Sequence, residues 1–307
     1  MGDEKAIGGY FELDPGLGNA ALPDGVLLNS GRNALRHIVR KLNIRSIHIP
    51  YYICPVVADA LVAEGCDIDR YFLDENMFPD RTFPAEDFVL YVNYFGVCGG
   101  KVDKLAKLYP NLIVDCAQAY FATPKGRASF SSPRKFFGVP DGGVAYGVDG
   151  SDYVADVSDG RMAHVVERLK NGPTRRGYVL FHRAETSLDG AEVFAMSSLT
   201  KSHLAKFNLQ EARERRYMNF NYLRKNLPTS FPLDISEDDV PMVYPYVTKD
   251  RHLRSRLIDE RFFVALYWPG IKNCSMLSET ILPLPIDQRY SEVDMMRMSM
   301  FVRGAVK

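Results

Sequence analysis

The residues most able to do chemistry lie in one stretch, Leu112–Gly143, LIVDCAQAYFATPKGRASFSSPRKFFGVPDGG. An apolar run ends on an acid, Asp115. A lysine, Lys135, follows among Pro133, Phe136 and Phe137, with Gly138 and the Gly142-Gly143 pair behind it. A carboxylate closing a buried strand and a lysine in an apolar, glycine-flanked loop suit a pyridoxal phosphate Schiff base with the acid on the pyridinium nitrogen. A lysine used in this way spends part of its cycle uncharged, which desolvation favours. Each residue taken singly also has a plainer reading. Lys135 can be a solvated surface lysine and Asp115 a cap of a turn or helix.

Other parts of the chain can be set around this pair. Gln118 follows Asp115 closely enough to offer an amide to the same ligand. A phosphate calls for backbone N–H groups at a helix start, and NSGRNAL supplies Ser30, Gly31 and Arg32 at the head of a helical pattern. In SFSSP, Ser129, Ser131 and Ser132 precede the lysine, where a hydroxyl can donate to a phosphate or simply form a turn. Tyr51 and Tyr52 follow a short strand pattern, where a ring can stack on a flat cofactor or pack in the core. The six histidines form no HxxxH, HExxH or nucleophile-elbow pattern, and there is no GxGxxG or Walker loop. No metal site is expected.

The elements that must position these residues are legible from periodicity. Leu35, Ile38, Val39 and Leu42 recur at helical spacing behind Ser30. SIHIP, DIDRYFL, DFVLYV and LIVD read as strands, and PVVADALVAEG and KVDKLAKLYP as helices between them, with Pro55 and Gly65 as start and stop. Residues 1–28 read as an irregular arm with one short strand. This alternation predicts an α/β domain with a mainly parallel sheet flanked by helices, whose ligands gather at the carboxyl ends of the strands. Asp115 falls there. After VAYG the pattern changes to a helix at MAHVVERLKNG, the basic-aromatic segment TRRGYVLFHRAE, and a long helix over 209–227 with Met218, Tyr222 and Leu223 as its packing stripe. Strands at VYPYVT, FFVALYW and ILPLPI, a helix at HLRSRLIDERF and a last helix capped by SEVD complete a small α+β unit. The division expected is a large cofactor-binding domain over 1–205 and a linking helix with a small domain over 206–307.

The totals bound the function. Lys+Arg and Asp+Glu both number 38, so net charge is zero and no global field draws nucleic acid or an anionic membrane. Five cysteines without a CxxC pair read as reduced thiols. With no apolar h-region in MGDEKAIGGYFELD, a cytoplasmic setting is expected.

The motifs and their order, SGRNAL, IPYY, NYFG, VDCAQA, an SF…K loop, DGG and LPLPIDQRYSEVDM, resemble the DegT/DnrJ/EryC1/StrS family of pyridoxal-phosphate-dependent sugar aminotransferases. The resemblance covers nearly the whole length. It implies the aspartate aminotransferase-like architecture known as fold type I, a homodimer, an amino-acid donor (glutamate or glutamine) and a nucleotide-linked sugar as keto or aldehyde acceptor. It implies that Gly31 and Arg32 hold the cofactor phosphate, that Asp115 binds the pyridine nitrogen, and that Gln118 contacts the ring hydroxyl side. Tyr52 would stack on the ring, Ser129 or Ser131 would meet the phosphate, and Lys135 would form the internal aldimine. Three departures stand out. Phe130 occupies the usual place of the phosphate-binding serine. The loop that a neighbouring subunit supplies in the family reads GAEVFAMSS, with Glu192 and Ala195 at places where other residues are expected. The second half is also short. Two readings follow: an aminotransferase, with Arg175, Arg176 and Arg183 available to an acceptor's diphosphate, or a cofactor-binding regulatory or sensor protein of the same fold with little turnover.

Overall fold

The computed structural model describes residues 5–14, 18–150, 152–237, 239–271 and 274–305. Its first strands are β1 (Ile7–Gly8) and β2 (Val26–Leu28), followed by α1 (Gly31–Leu42), β3 (Ser46–Pro50), α2 (Pro55–Ala63), β4 (Asp67–Tyr71), β5 (Val89–Val92), α3 (Gly99–Leu108) and β6 (Leu112–Cys116). Next come β7 (Ala128–Ser131), β8 (Gly143–Tyr146), α4 (Ala163–Asn171), α5 (Arg175–Thr186), α6 (Ser198–Leu204) and α7 (Leu209–Asn226). The chain closes with β9 (Val243–Val247), α8 (Leu253–Asp259), β10 (Phe262–Phe263), α9 (Ser275–Thr280), β11 (Ile281–Pro285) and α10 (Glu292–Ala305).

The central sheet has seven strands in the order β2-β8-β7-β6-β5-β3-β4. Pairing is parallel from β4 through β3, β5 and β6 to β7, and antiparallel at β7–β8 and β8–β2. The α/β expectation with a mainly parallel sheet therefore holds. Every side chain of β5 and β6 is buried, as expected of strands covered on both faces. Chain order reverses beside β3, whose neighbours are β4 and β5. Such reversals leave a crevice at the carboxyl ends of the strands, the end at which Asp115 stands.

A second, two-stranded sheet joins β9 to β11 in antiparallel register. β1 pairs with β10, so the N-terminal arm is bonded to the C-terminal part of the chain. The arm holds two strands rather than one. FFVALYW forms a strand only at Phe262–Phe263, because the Val264 amide turns back to the Phe262 carbonyl at 3.0 Å and leaves the ladder. The basic-aromatic segment is a full helix, α5, capped by Thr174 Oγ1 on the Gly177 amide. In α7 the expected stripe is corrected. Met218 is exposed, and the buried positions are Ala212, Arg216, Asn219, Phe220 and Leu223. With charges around most of this helix, its own periodicity is faint, and the packing of α10 against it selects the face. The SEVD cap forms as expected: Ser291 N donates to Asp294 Oδ2 at 2.8 Å, and Asp294 N donates to Ser291 Oγ.

Candidate active site

Lys135 ends a short 3-10 turn, Pro133–Lys135, and the rings that follow it, Phe136 and Phe137, are buried. This turn is held from below. Gln288 Nε2 donates to the Phe136 carbonyl at 2.8 Å, and the guanidinium of Arg216 lies 4.5 Å from the Phe136 ring centre. Arg216 is 1% exposed, and its Nε and Nη1 bond Gln288 Oε1 at 2.9 Å and the Met242 carbonyl at 3.1 Å. Burial lowers its pKa to about 10, with the negative charge of Asp287 acting the other way.

Asp115 is the fourth residue of β6 and is buried. Its Oδ1 accepts the Ala117 amide at 2.8 Å. Burial raises its pKa above the ordinary carboxylate range, while the charge of Lys135 and the Ala117 bond act against that rise. A carboxylate so placed is stabilised by any further cation brought against it.

The start of α1 faces the same space. Ser30 is the N-cap in extended conformation, and its Oγ accepts the Asn33 amide at 3.2 Å. The first amides of a helix have no partner inside it, so those of Gly31 and Arg32 point out of the helix start. No acid lies in its first turn, which leaves the positive end of the helix dipole to an external anion. A methyl on Gly31 would stand 3.4 Å from Ser132 Cβ, so this helix start and the loop before Lys135 are the two sides of one narrow cradle.

Ser30, Gly31, Arg32, Ser132, Asp115 and Lys135 line a single cavity of about 1130 Å³. The expected residues do not all meet there. Asp115 pairs in register with Phe130, and both line the cavity; Ser129 and Ser131 alternate with Phe130 along β7 and so point to the opposite face of the sheet. This corrects the expected phosphate hydroxyls, since of the three serines just before the lysine it is Ser132 that lies on the cavity. Tyr52 lies off the cavity lining. Its ring is buried against Tyr94 and Trp268, at centroid distances of 5.7 and 4.7 Å. Gln118 also lies behind the wall, where its Oε1 accepts the Phe95 amide at 2.7 Å and its buried Nε2 finds no protein partner. Arg32 is on the wall with its guanidinium paired to Asp189. Glu192 is exposed and absent from the wall, and its carbonyl accepts from Asn33 Nδ2 at 2.8 Å. Of the three arginines considered for a diphosphate, Arg175 is at the cavity, whereas Arg176 and Arg183 are not.

Some wall residues escaped the sequence reading. Ala117 and Cys54 line the cavity, as do Arg168, Arg216 and His164. Arg216 had one available signal: it stands four residues from both Ala212 and Phe220, on the stripe that proves to be buried.

The donor set fits pyridoxal phosphate. A helix start without acids and a neighbouring hydroxyl suit the phosphate, the raised carboxyl of Asp115 suits a pyridinium, and Lys135 suits the aldehyde. No protein-family model matches the chain, and no curated protein matches its sequence. Solved structures do. Helicobacter pylori PseC, an aminotransferase involved in the biosynthesis of pseudoaminic acid, aligns with a TM-score of 0.64 at 12% identity, over 92% of this chain and 86% of that one. The aminotransferase TlmJ from Streptoalloteichus hindustanus aligns at 0.61 and 16% identity, over 92% and 85%. A DegT DnrJ EryC1 StrS aminotransferase from Brucella abortus aligns at 0.58 and 15% identity, over 91% and 85%. At such identities the likeness is one of fold, and the fold of this chain is that of these aminotransferases.

Proposed function

We propose that the chain is a pyridoxal-phosphate-dependent aminotransferase that moves an amino group from an amino acid, glutamate or glutamine, to a keto or aldehyde carbon of a nucleotide-linked sugar. The observation that carries this reading is the meeting of Asp115, Lys135 and the start of α1 in one cavity at the carboxyl ends of parallel strands. When bound, pyridoxal phosphate supplies an aldehyde that condenses with amines and a protonated ring that withdraws an electron pair.

The residues of the chain divide the remaining work. The Gly31 and Arg32 amides and the Ser132 hydroxyl would hold the phosphate. Asp115 would keep a proton on the ring nitrogen, and the ring's positive charge would in turn return Asp115 to its ionised form despite its burial. Lys135 Nζ would hold the aldehyde between turnovers. Once displaced by the donor's amine, the same Nζ would take the proton from the donor's Cα and later deliver one to the acceptor carbon. The bond from Gln288 to the Phe136 carbonyl, with that from Arg216 to the Met242 carbonyl, would steady the turn that carries Lys135.

The reading includes a large domain over 1–205 and a small one over 206–307, and a cytoplasmic homodimer. Exposed apolar side chains on the segment that carries α4 and α5, Val154, Val157, Tyr178 and Val179, support the pairing of two copies. No helix among the described residues is long and apolar enough to cross a membrane.

The test is borohydride reduction of the cofactor-loaded protein, followed by peptide mapping. The pyridoxyl mass is expected on the peptide containing Lys135 and nowhere in Lys135→Ala. Label retained by the variant would sink the lysine assignment. Glutamate should convert the loaded wild type to its aminated form, seen as a shift of the cofactor absorbance; a bound cofactor that no amino donor shifts would favour the regulatory reading instead.

A further inference from the structure

Asp141 opens the DGG motif and does not line the cavity, yet it is wholly buried. Its carboxylate sits on the cap of α6. Oδ2 accepts the Ser197 amide at 2.8 Å, and Oδ1 accepts the Ser197 hydroxyl at 2.6 Å and the Thr200 hydroxyl. Ser197 is the N-cap of α6, and its Oγ also accepts from Ser158 Oγ at 2.8 Å and from the Thr200 amide at 3.1 Å. A hydroxyl has one hydrogen and two acceptor positions, so Ser197 is fully used and its hydrogen goes to Asp141. Three donors thus converge on a group that, when ionised, can only accept. Burial raises the pKa of Asp141 above the ordinary carboxylate range; the bonds from Ser197 and Thr200 act against that rise, and the charge of Asp156 adds to it.

A buried acid is costly even when it is bonded, and what these bonds hold is the residue that follows. Gly142 N donates to the Asn29 carbonyl at 2.8 Å, its carbonyl accepts from Ser132 Oγ at 3.5 Å, and it bridges to Ser30. Its φ is +131°, and a methyl there would stand 2.7 Å from Pro133 Cγ, the start of the turn that carries Lys135. Gly142 therefore touches Ser30 and Ser132, the two sides of the phosphate cradle. The segment before α6 is tied to the same place, because Met196 N donates to the Leu27 carbonyl and Asn29 N to the Phe194 carbonyl, both at 3.0 Å. A ring of bonds closes: Asp141 to Ser197, residues 194–196 to Leu27 and Asn29, and Asn29 back to Gly142. Without the carboxylate this ring is open, and Gly142 is free to shift against the cap of α1.

We infer that Asp141 is a positioning residue for the cofactor phosphate: anchored on the cap of α6, it sets the place of Gly142 and, through Gly142, the spacing of Ser30 and Ser132 across the cradle. The inference rests on the proposed function only in placing a phosphate at the start of α1. Asp141 is off the cavity wall, so it acts through Gly142 and never on the ligand itself. A role confined to fold stability would weaken every ligand of the cavity alike. A role in spacing the cradle weakens those that carry a phosphate.

The probes are pyridoxal phosphate and pyridoxal, which lacks the phosphate, each titrated into the cofactor-free full-length chain and followed by absorbance. Wild type should bind the phosphorylated probe more tightly. Asp141→Asn sets an NH2 group against either the Ser197 amide or the two hydroxyls, and Thr200→Val removes one donor with little change of shape. Each should weaken pyridoxal phosphate about tenfold, the equivalent of roughly 1.4 kcal/mol, and leave pyridoxal unchanged. Thr200→Ser keeps the hydroxyl and should restore the wild-type preference. If Asp141→Asn does not fold, the two Thr200 variants carry the comparison. Equal weakening of both probes would overturn the assignment, as would a lower melting temperature with neither affinity changed. So would a Thr200→Ser protein that behaves like Thr200→Val, or a wild type indifferent to the phosphate. A wild type that prefers pyridoxal phosphate but whose absorbance no amino donor shifts would remove the aminotransferase reading and leave the two probes to judge Asp141.

Discussion

Substituting Gly143 by alanine isolates the contact on which the phosphate cradle depends. Gly143 begins β8, where it pairs with Leu28 of β2, and the preceding amide, Gly142 N, donates to the Asn29 carbonyl at 2.8 Å. A methyl on Gly143 would stand 2.1 Å from the Ser30 oxygen, 2.2 Å from its carbonyl carbon and 2.6 Å from the Gly31 nitrogen. All three are backbone atoms at the cap of α1, so no side chain can rotate away, and the seam must open by about 1 Å to restore ordinary contact. Overpacking of this kind costs about 1–3 kcal/mol, and the stretched Gly142–Asn29 bond adds about 1 kcal/mol. The sum, about 2–4 kcal/mol, corresponds to a fall in melting temperature of about 5–15 °C at a few degrees per kcal/mol. Calorimetry on the cofactor-free protein gives that number. Cofactor titration then tells whether the shift of Ser30 and Gly31 also weakens phosphate binding, which is expected by tenfold or more. Gly150→Ala is the control, because its added methyl meets nothing within 4 Å and should leave both quantities unchanged. A Gly143→Ala protein that melts within a degree of wild type would refute the close approach of β8 to the helix cap.

Two further predictions turn on buried titratable groups. Asp115 holds its proton more tightly folded than unfolded, so its charge costs stability above its folded pKa, and that cost vanishes on acidification. Asp115→Asn should therefore raise the melting temperature of the cofactor-free protein at pH 7, while slowing the glutamate half-reaction on the order of a hundredfold or more; a variant that melts lower at pH 7 would contradict the argument. His164, held at about 4 against an ordinary value near 6.5, takes up its proton more readily in the unfolded chain, so stability falls as pH drops through that window, by roughly 3 kcal/mol at most. The groups facing it are Arg134, Glu185, Tyr10 and Phe181. His164→Phe should lose less melting temperature than wild type between pH 7 and pH 5, and equal losses would show that the histidine is not the group responsible.

The parts legible in the sequence are those governed by neighbours along the chain. Ser30 caps α1 because a side-chain oxygen can reach an amide three residues on, and the cap is visible as SGRNAL. Asp115 ends a strand because an apolar run stops on it, and a parallel sheet follows from strands alternating with helices. The choice of face was not legible. Alternation says that Ser129 and Ser131 point the same way and Phe130 the other, but only the register of β7 on β6 decides which side holds Asp115. The α7 stripe is legible only in part for a related reason: Leu223 is on it and Met218 is not, and an arginine on the buried face is invisible until Gln288, the Met242 carbonyl and the Phe136 ring are brought around it.

The sequence by itself determined the cofactor chemistry to be tested, because an acid after a buried strand, a lysine in an apolar loop and a glycine at a helix start are local patterns with local causes. Only the tertiary structure decided what else meets Lys135. Tyr10, Arg134 and His164 come from three separate segments, and no periodicity relates them. They meet because the ring of Tyr10 packs on His164 of α4 and Phe181 of α5, and contacts between distant segments leave no local pattern.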